Sequence, residues 1–155
     1  MKILDVLPFK KAYAHCDVPC GIYDPVSAKI AAQTVLKMTM RIQALEGSPG
    51  SDVDRQTYAN NVARYVVVKE EHATVTKKEL DILWHDYFRP DHLEAYPDLH
   101  SKFWTATKLA SQAKQAVNLE AAQQLVDAVD EIAGIFWATK GVDYSDPNSS
   151  VRFGT

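Results

Sequence analysis

From residue 25 onward, apolar side chains return every three or four positions, which is the period of a helix rather than of a strand. Pro25 suits a first helical position and Asp24 before it suits an N-cap. Ile30, Val35, Met38 and Ile42 then mark one face, until Glu46-Gly47-Ser48-Pro49-Gly50-Ser51 ends the segment. Asp52 or Asp54 opens a second helix, carrying Tyr58, Val62, Tyr65, Val66 and Lys69. Val66-Val67-Val68 has strand propensity, but its polar, helical flanks predict helix there too. Thr76 with Glu79 has the form of a capping box, predicting a third helix over 80–88. Pro90 and Pro97 interrupt the chain and leave room for a single turn at 92–96. Helices over 99–117 and 118–140 follow. The last presents Leu125, Val129, Ile132, Ile135 and Phe136 on one face, with Gly141 as its stop. Residues 142–155 are polar and are expected to be a disordered tail. With no strand pattern, internal repeat or second domain, the expectation is all-α: an antiparallel four-helix bundle behind an irregular N-terminal segment.

Composition narrows the function more than the fold. The chain has 155 residues, 46% of them hydrophobic, enough for one domain with a real core. No apolar run approaches the roughly 18 residues that a membrane span needs. The formal charge is −3 and no basic stripe exists to neutralise phosphates, so neither nucleic acid nor membrane is an expected partner. No Glu is followed by His three residues later, and neither an HExxH pattern nor a Gly-rich phosphate loop occurs, which disfavours a metal site inside the bundle. His72, His85, His92 and His100 are by default surface or core-edge groups.

The chemistry concentrates in His15-Cys16-Asp17-Val18-Pro19-Cys20-Gly21-Ile22-Tyr23-Asp24-Pro25, which holds both cysteines of the chain. A lone Cys-x-x-x-Cys is equally compatible with a structural pair or a loose zinc site. Cleavage between Ala14 and His15 would change that. The new α-amine, the Cys16 amide nitrogen and the Cys16 sulfur form two adjacent five-membered chelate rings. Cys20 adds a fourth in-plane donor after the turn at Pro19, and the His15 imidazole can bind axially. Square-planar nitrogen and sulfur donation selects Ni(II) or Cu(II) over tetrahedral zinc. Residues 1–14 (MKILDVLPFKKAYA) end in the small-x-small form of a signal-peptidase site, Ala12-Tyr13-Ala14. Their apolar stretch is short, interrupted by Asp5 and Pro8, and has Lys10 and Lys11 on its wrong side. They read as a removable pro-segment rather than a secretory signal, the alternative being an ordinary frayed terminus. Their loss takes three lysines and one aspartate, leaving about −5 on side chains.

The string HCDVPCGIYDP resembles the N-terminal nickel hook of the nickel superoxide dismutases, His-Cys-x-x-Pro-Cys-Gly-x-Tyr, at every ligand position. Trp84-His85-Asp86-Tyr87-Phe88-Arg89-Pro90 and Ile135-Phe136-Trp137-Ala138-Thr139-Lys140 are similar to two further stretches of that family, so the resemblance runs from His15 to about Gly141. It implies nickel as cofactor, held by His15, Cys16 and Cys20. Thiolate and amide donors push electron density onto the metal and bring the Ni(III)/Ni(II) couple into range for superoxide dismutation to dioxygen and hydrogen peroxide. Tyr23 is expected over the hook, limiting peroxide access to the thiolates. Asp17 is expected to order the hook through backbone hydrogen bonds, and Val18-Pro19 is a candidate cis peptide. By resemblance, Tyr87 and Arg89 support the hook, with Arg89 standing where the family has lysine. The family's glutamate and arginine beside the axial imidazole match Ala31 and His72, so both charged partners are missing. A homohexamer of bundles, a maturation protease cutting after Ala14 and a cytoplasmic location are further implications. The competing reading is a helical nickel- or copper-binding module without turnover.

Overall fold

The computed structural model describes residues 21–45 and 50–154. Its elements are α1 (Val26–Gln43), α2 (Asp52–Ile82), a π-helical turn (Leu83–Tyr87), α3 (Pro90–Ala95), α4 (Leu99–Gln115), α5 (Leu119–Thr139) and α6 (Ser149–Phe153). Helix α1 packs on α2 and α5, and α4 packs on the same two helices, so the four long helices close a ring around one core. Phe136, Leu80, Leu99, Leu125, Ile132, Val35 and Val129 are fully buried there. The apolar face expected on α5 is the face that is buried. On α1 the buried stripe is instead Ala28, Ala31, Ala32, Val35 and Leu36, while Ile30 remains 43% exposed. Alanines fill the close crossings on α2, α4 and α5 as well, at Ala73, Ala106, Ala110, Ala113 and Ala122. Short side chains let helix backbones approach, and the larger Ile30 is left outside.

Helix α2 differs from expectation. It is one continuous helix through Thr76, so no third helix begins there. The Thr76 hydroxyl is buried and donates 2.8 Å back to the His72 carbonyl, the alternative available to a threonine with no break in the chain before it. The working capping box lies at the start of α2, where Ser51 and Asp54 exchange hydrogen bonds. At its other end the helix widens by one residue: the Phe88 N–H donates 3.0 Å to the Leu83 carbonyl, five residues back. Pro90 then forces Arg89 into an extended conformation and starts α3.

One polar side chain ties α2 to α4. Lys69 is 2% exposed, and its Nζ donates to the carbonyls of Ala113, Lys114 and Ala116 at 2.6, 2.8 and 3.0 Å. These are the carbonyls a helix C-terminus leaves without partners. Burial pushes the Lys69 ammonium below its ordinary pKa, while Glu70 acts the other way.

The C-terminal segment corrects the expected disordered tail. Gly141, at φ +71°, ends α5 in a Schellman motif, with the Gly141 N–H on the Ala138 carbonyl and the Val142 N–H on the Trp137 carbonyl, both 3.0 Å. The chain then folds back along α1. Lys29 is 4% exposed and pairs with Asp146 at 2.8 Å and Asp130 at 2.7 Å, and it also hydrogen-bonds the Tyr144 hydroxyl. Arg152 holds Asp146 through both of its oxygens, Gln33 donates 2.7 Å to Ser149 Oγ, and the Lys37 ammonium lies over the Phe153 ring. Charges and amides order this strap, so its low hydrophobicity misleads.

Two measurements check these assignments. Lys69→Met leaves three carbonyls without their donor and is expected to cost about 2–3 kcal/mol, read by chemical denaturation, with amides at the end of α4 exchanging fastest. The Arg152 and Lys29 cations hold the Asp146 carboxyl at about 2, below the ordinary value of about 3.9. Its contribution to strap docking is therefore complete above about pH 4 and lost as pH falls toward 2. Hydrogen-exchange protection factors at Arg152 and Gly154 should fall through that window, and Asp146→Asn should lower them at neutral pH.

Candidate metal centre

His15, Cys16, Asp17, Cys20 and the Val18-Pro19 bond lie outside the described residues. The described chain begins one residue after Cys20, and the structure shows how that exit is anchored. Gly21 has φ +68°, a left-handed conformation that suits glycine. Two residues on, Tyr23 is half-buried and packs against the core. Pro25 is fully buried and is the N-cap of α1, one position earlier in the helix than expected, and the Asp24 carboxylate before it accepts the Val26 N–H at 2.8 Å. The route out of the hook segment is thus pinned by a ring, a capping carboxylate and a buried proline within three residues.

Tyr23 stands on Tyr87, with ring centroids 5.6 Å apart and planes tilted by 54°. Tyr87 is the hub of an aromatic cluster, with Phe136 at 4.4 Å, Phe88 at 5.1 Å and the His92 ring stacked at 5.5 Å. The Tyr87 hydroxyl lies 2.6 Å from Thr139 Oγ1, which itself donates to the Phe136 carbonyl at 2.7 Å. The threonine proton is therefore committed, and Tyr87 is the donor. Tyr87 thus serves Tyr23 as a rigid platform. The π-helical turn puts it there: one extra residue per turn rotates the end of α2 so that Tyr87 meets α5.

Arg89 is exposed and forms a two-point pair with Asp91, Nε to Oδ1 at 3.2 Å and Nη2 to Oδ2 at 3.0 Å. The guanidinium holds the Asp91 carboxyl below the usual carboxylate range, and the pair offsets much of the charge Arg89 presents. His92 is buried, with its Nδ1 accepting the Arg89 N–H at 3.3 Å. Ala31 and His72, expected from the sequence at the family's two charged positions, have plain surroundings in the structure. Ala31 is buried, and the half-buried His72 turns back on its own helix, its Nδ1 2.9 Å from the Val68 carbonyl. Sequence reading missed Thr139, His92 and Lys140 as neighbours of Tyr87. Nothing local signals the contact of Tyr87 with Thr139, 52 positions away.

The model of the family described as nickel-containing superoxide dismutase matches residues 10–140. The chain belongs to that family. It is 39% identical over 133 residues to the superoxide dismutase [Ni] of Streptomyces seoulensis, covering 86% of this chain and 93% of that one. Identity to the Streptomyces coelicolor enzyme of the same description is 37% over 127 residues, covering 82% and 88%. A crystal structure of Ni-containing superoxide dismutase with oxidised-state nickel ligation superposes with a TM-score of 0.72 at 37% identity, covering 83% of this chain and 100% of that one. The protein is thus a nickel-dependent oxidoreductase acting on superoxide, built as a four-helix bundle. The strap from residue 142 onward lies beyond the family match.

Two substitutions separate the parts played by Tyr87. Tyr87→Phe keeps the rings and loses one hydrogen bond, at an expected cost of about 1 kcal/mol. Tyr87→Ala removes the platform and should cost about 3 kcal/mol or more in thermal unfolding. Only the alanine variant should release the Tyr23 ring, seen as sharpened Tyr23 resonances by NMR.

Proposed function

We propose that nickel is held by the His15 α-amine and imidazole, the Cys16 amide nitrogen and thiolate, and the Cys20 thiolate, once residues 1–14 have been removed. The observation that carries this reading is the anchored exit: Tyr23, three residues after Cys20, is seated on Tyr87 while Asp24 and Pro25 lock the start of α1. A donor string so short needs such a root to hold a fixed geometry. The donor set fits the metal, since paired thiolates with amine and amide nitrogen suit a square-planar d8 ion. Bound nickel supplies one-electron exchange with superoxide, two of which combine with two protons to give dioxygen and hydrogen peroxide.

The protein's own groups have distinct tasks in this reading. Asp17 fixes the hook backbone by accepting its N–H groups. The Tyr23 hydroxyl orients water or the incoming anion and restricts peroxide, to which thiolates are vulnerable. Tyr87 holds Tyr23 in place, and Arg89 adds positive charge at the rim, tempered by Asp91. With alanine at position 31 and a helix-bonded His72, the His15 imidazole is oriented without a charged pair at those positions. We further propose a homohexamer, a cytoplasmic location and a signal-peptidase-like protease as the maturation partner. The weak secretory character of residues 1–14 supports the location.

The pro-segment offers the sharpest test. While Ala14 is attached, the His15 nitrogen is an amide and cannot act as a neutral amine donor. A free α-amine has a pKa of about 8 and yields its proton to a metal near neutrality. Full-length chain with nickel should be inactive, and cleavage after Ala14 should switch it on. One glycine added before His15 in the cleaved form should abolish turnover, and Cys16→Ser or Cys20→Ser should abolish nickel binding and turnover, each with helical content unchanged. Equal turnover by cut and uncut chains would remove the amine from the ligand set.

A further inference from the structure

Superoxide is a small monovalent anion, and this chain carries a formal charge of −3. A local positive field is needed to bring the two together quickly. Most cations near acidic groups are already matched. Lys29 meets Asp130 and Asp146, Lys102 meets Asp98 and Glu131, Arg152 meets Asp146, and Arg89, the cation nearest the Tyr87 platform in sequence, is held by Asp91.

Lys140 is different. Its ammonium lies 5.1 Å from the centroid of Tyr87 and 5.1 Å from that of Phe136. It is exposed, and among the described residues it makes no ion pair. Its backbone cannot drift, because the Schellman turn at Gly141 follows at once and its own N–H is bonded 3.0 Å to the Trp137 carbonyl. The ammonium itself lies over the two rings of an otherwise exposed side chain, which biases its position while leaving it open to solvent. The same Tyr87 ring carries Tyr23, the first described aromatic side chain after the hook.

We propose that Lys140 is the residue that draws the substrate anion toward the Tyr23–Tyr87 face. Its charge, unpaired among the described residues, acts on the approach of superoxide rather than on nickel retention. This rests on the reading above that nickel sits in the hook beside Tyr23. One charge at this range changes the encounter rate roughly two- to fivefold at low salt, and less as salt screens it.

The test uses Lys140→Met and Lys140→Arg in the cleaved, nickel-loaded enzyme. The methionine variant should keep its nickel content and helicity, lose roughly two- to fivefold in kcat/KM at low ionic strength, and converge on the parent at high salt. Arginine should restore the parent profile, and the salt dependence of the methionine defect is what a purely structural role would not predict. A second arm reads the cation without turnover. Azide, an unreactive monovalent anion, is titrated into the full-length, nickel-free chain while NMR follows the Tyr23 and Tyr87 ring protons. Saturable shifts in the parent that weaken in Lys140→Met and return in Lys140→Arg support the proposal. An unchanged salt profile, or azide shifts insensitive to the methionine variant, overturns it. If nickel is not held by the hook, the first arm fails in the parent itself, whereas the azide arm still reports on Lys140.

Discussion

The hook end of the bundle depends on where the Tyr87 ring sits. Three parts of the chain meet there: the widened end of α2 that carries Tyr87, the last turn of α5 with Phe136, Thr139 and Lys140, and the segment leaving the hook through Tyr23. An eleven-residue donor string has no core of its own and cannot hold a square plane unless its exit is tied to something rigid. The tie here is aromatic packing, which is strong for its area and directional. The single hydrogen bond from Tyr87 to Thr139 adds orientation, since the threonine proton is already committed to the Phe136 carbonyl.

The polar groups divide in a similar way. Some close the scaffold, as Lys69 does by donating to three carbonyls at the end of α4. Others hold the C-terminal strap against α1, where Lys29 and Arg152 converge on Asp146. These cations are matched and contribute little to the field outside. At the Tyr87 platform the balance differs, since Arg89 is offset by Asp91 while Lys140 is not paired among the described residues.

Much was legible in the residues because it is local chemistry. Helical periodicity, Asp24 before Pro25, and Gly141 as a stop are features of a few neighbouring positions, and α5 buries the face its spacing indicated. The proposed donor string is equally local, since chelate rings would form between adjacent backbone and side-chain atoms. Two local signals misled. Thr76 with Glu79 matched a capping box, yet nothing before Thr76 broke the helix, so its hydroxyl bonded backward. The polar tail looked disordered because its stabilising partners, Lys29, Gln33 and Lys37, belong to a helix more than a hundred residues away.

By itself, the sequence determined the helical class and the family to which the chain belongs, and with the family its nickel cofactor. It did so because propensity and capping are set by residues within a few positions of each other. Tertiary structure alone decided which face of α1 is buried, that Tyr87 is a platform with a committed hydroxyl, that Arg89 is matched by Asp91, and that Lys140 stands over the same ring. Each of these depends on the angle at which helices cross and on one extra residue in the turn after α2. Those are properties of packed backbones, and no short stretch of residues encodes them alone.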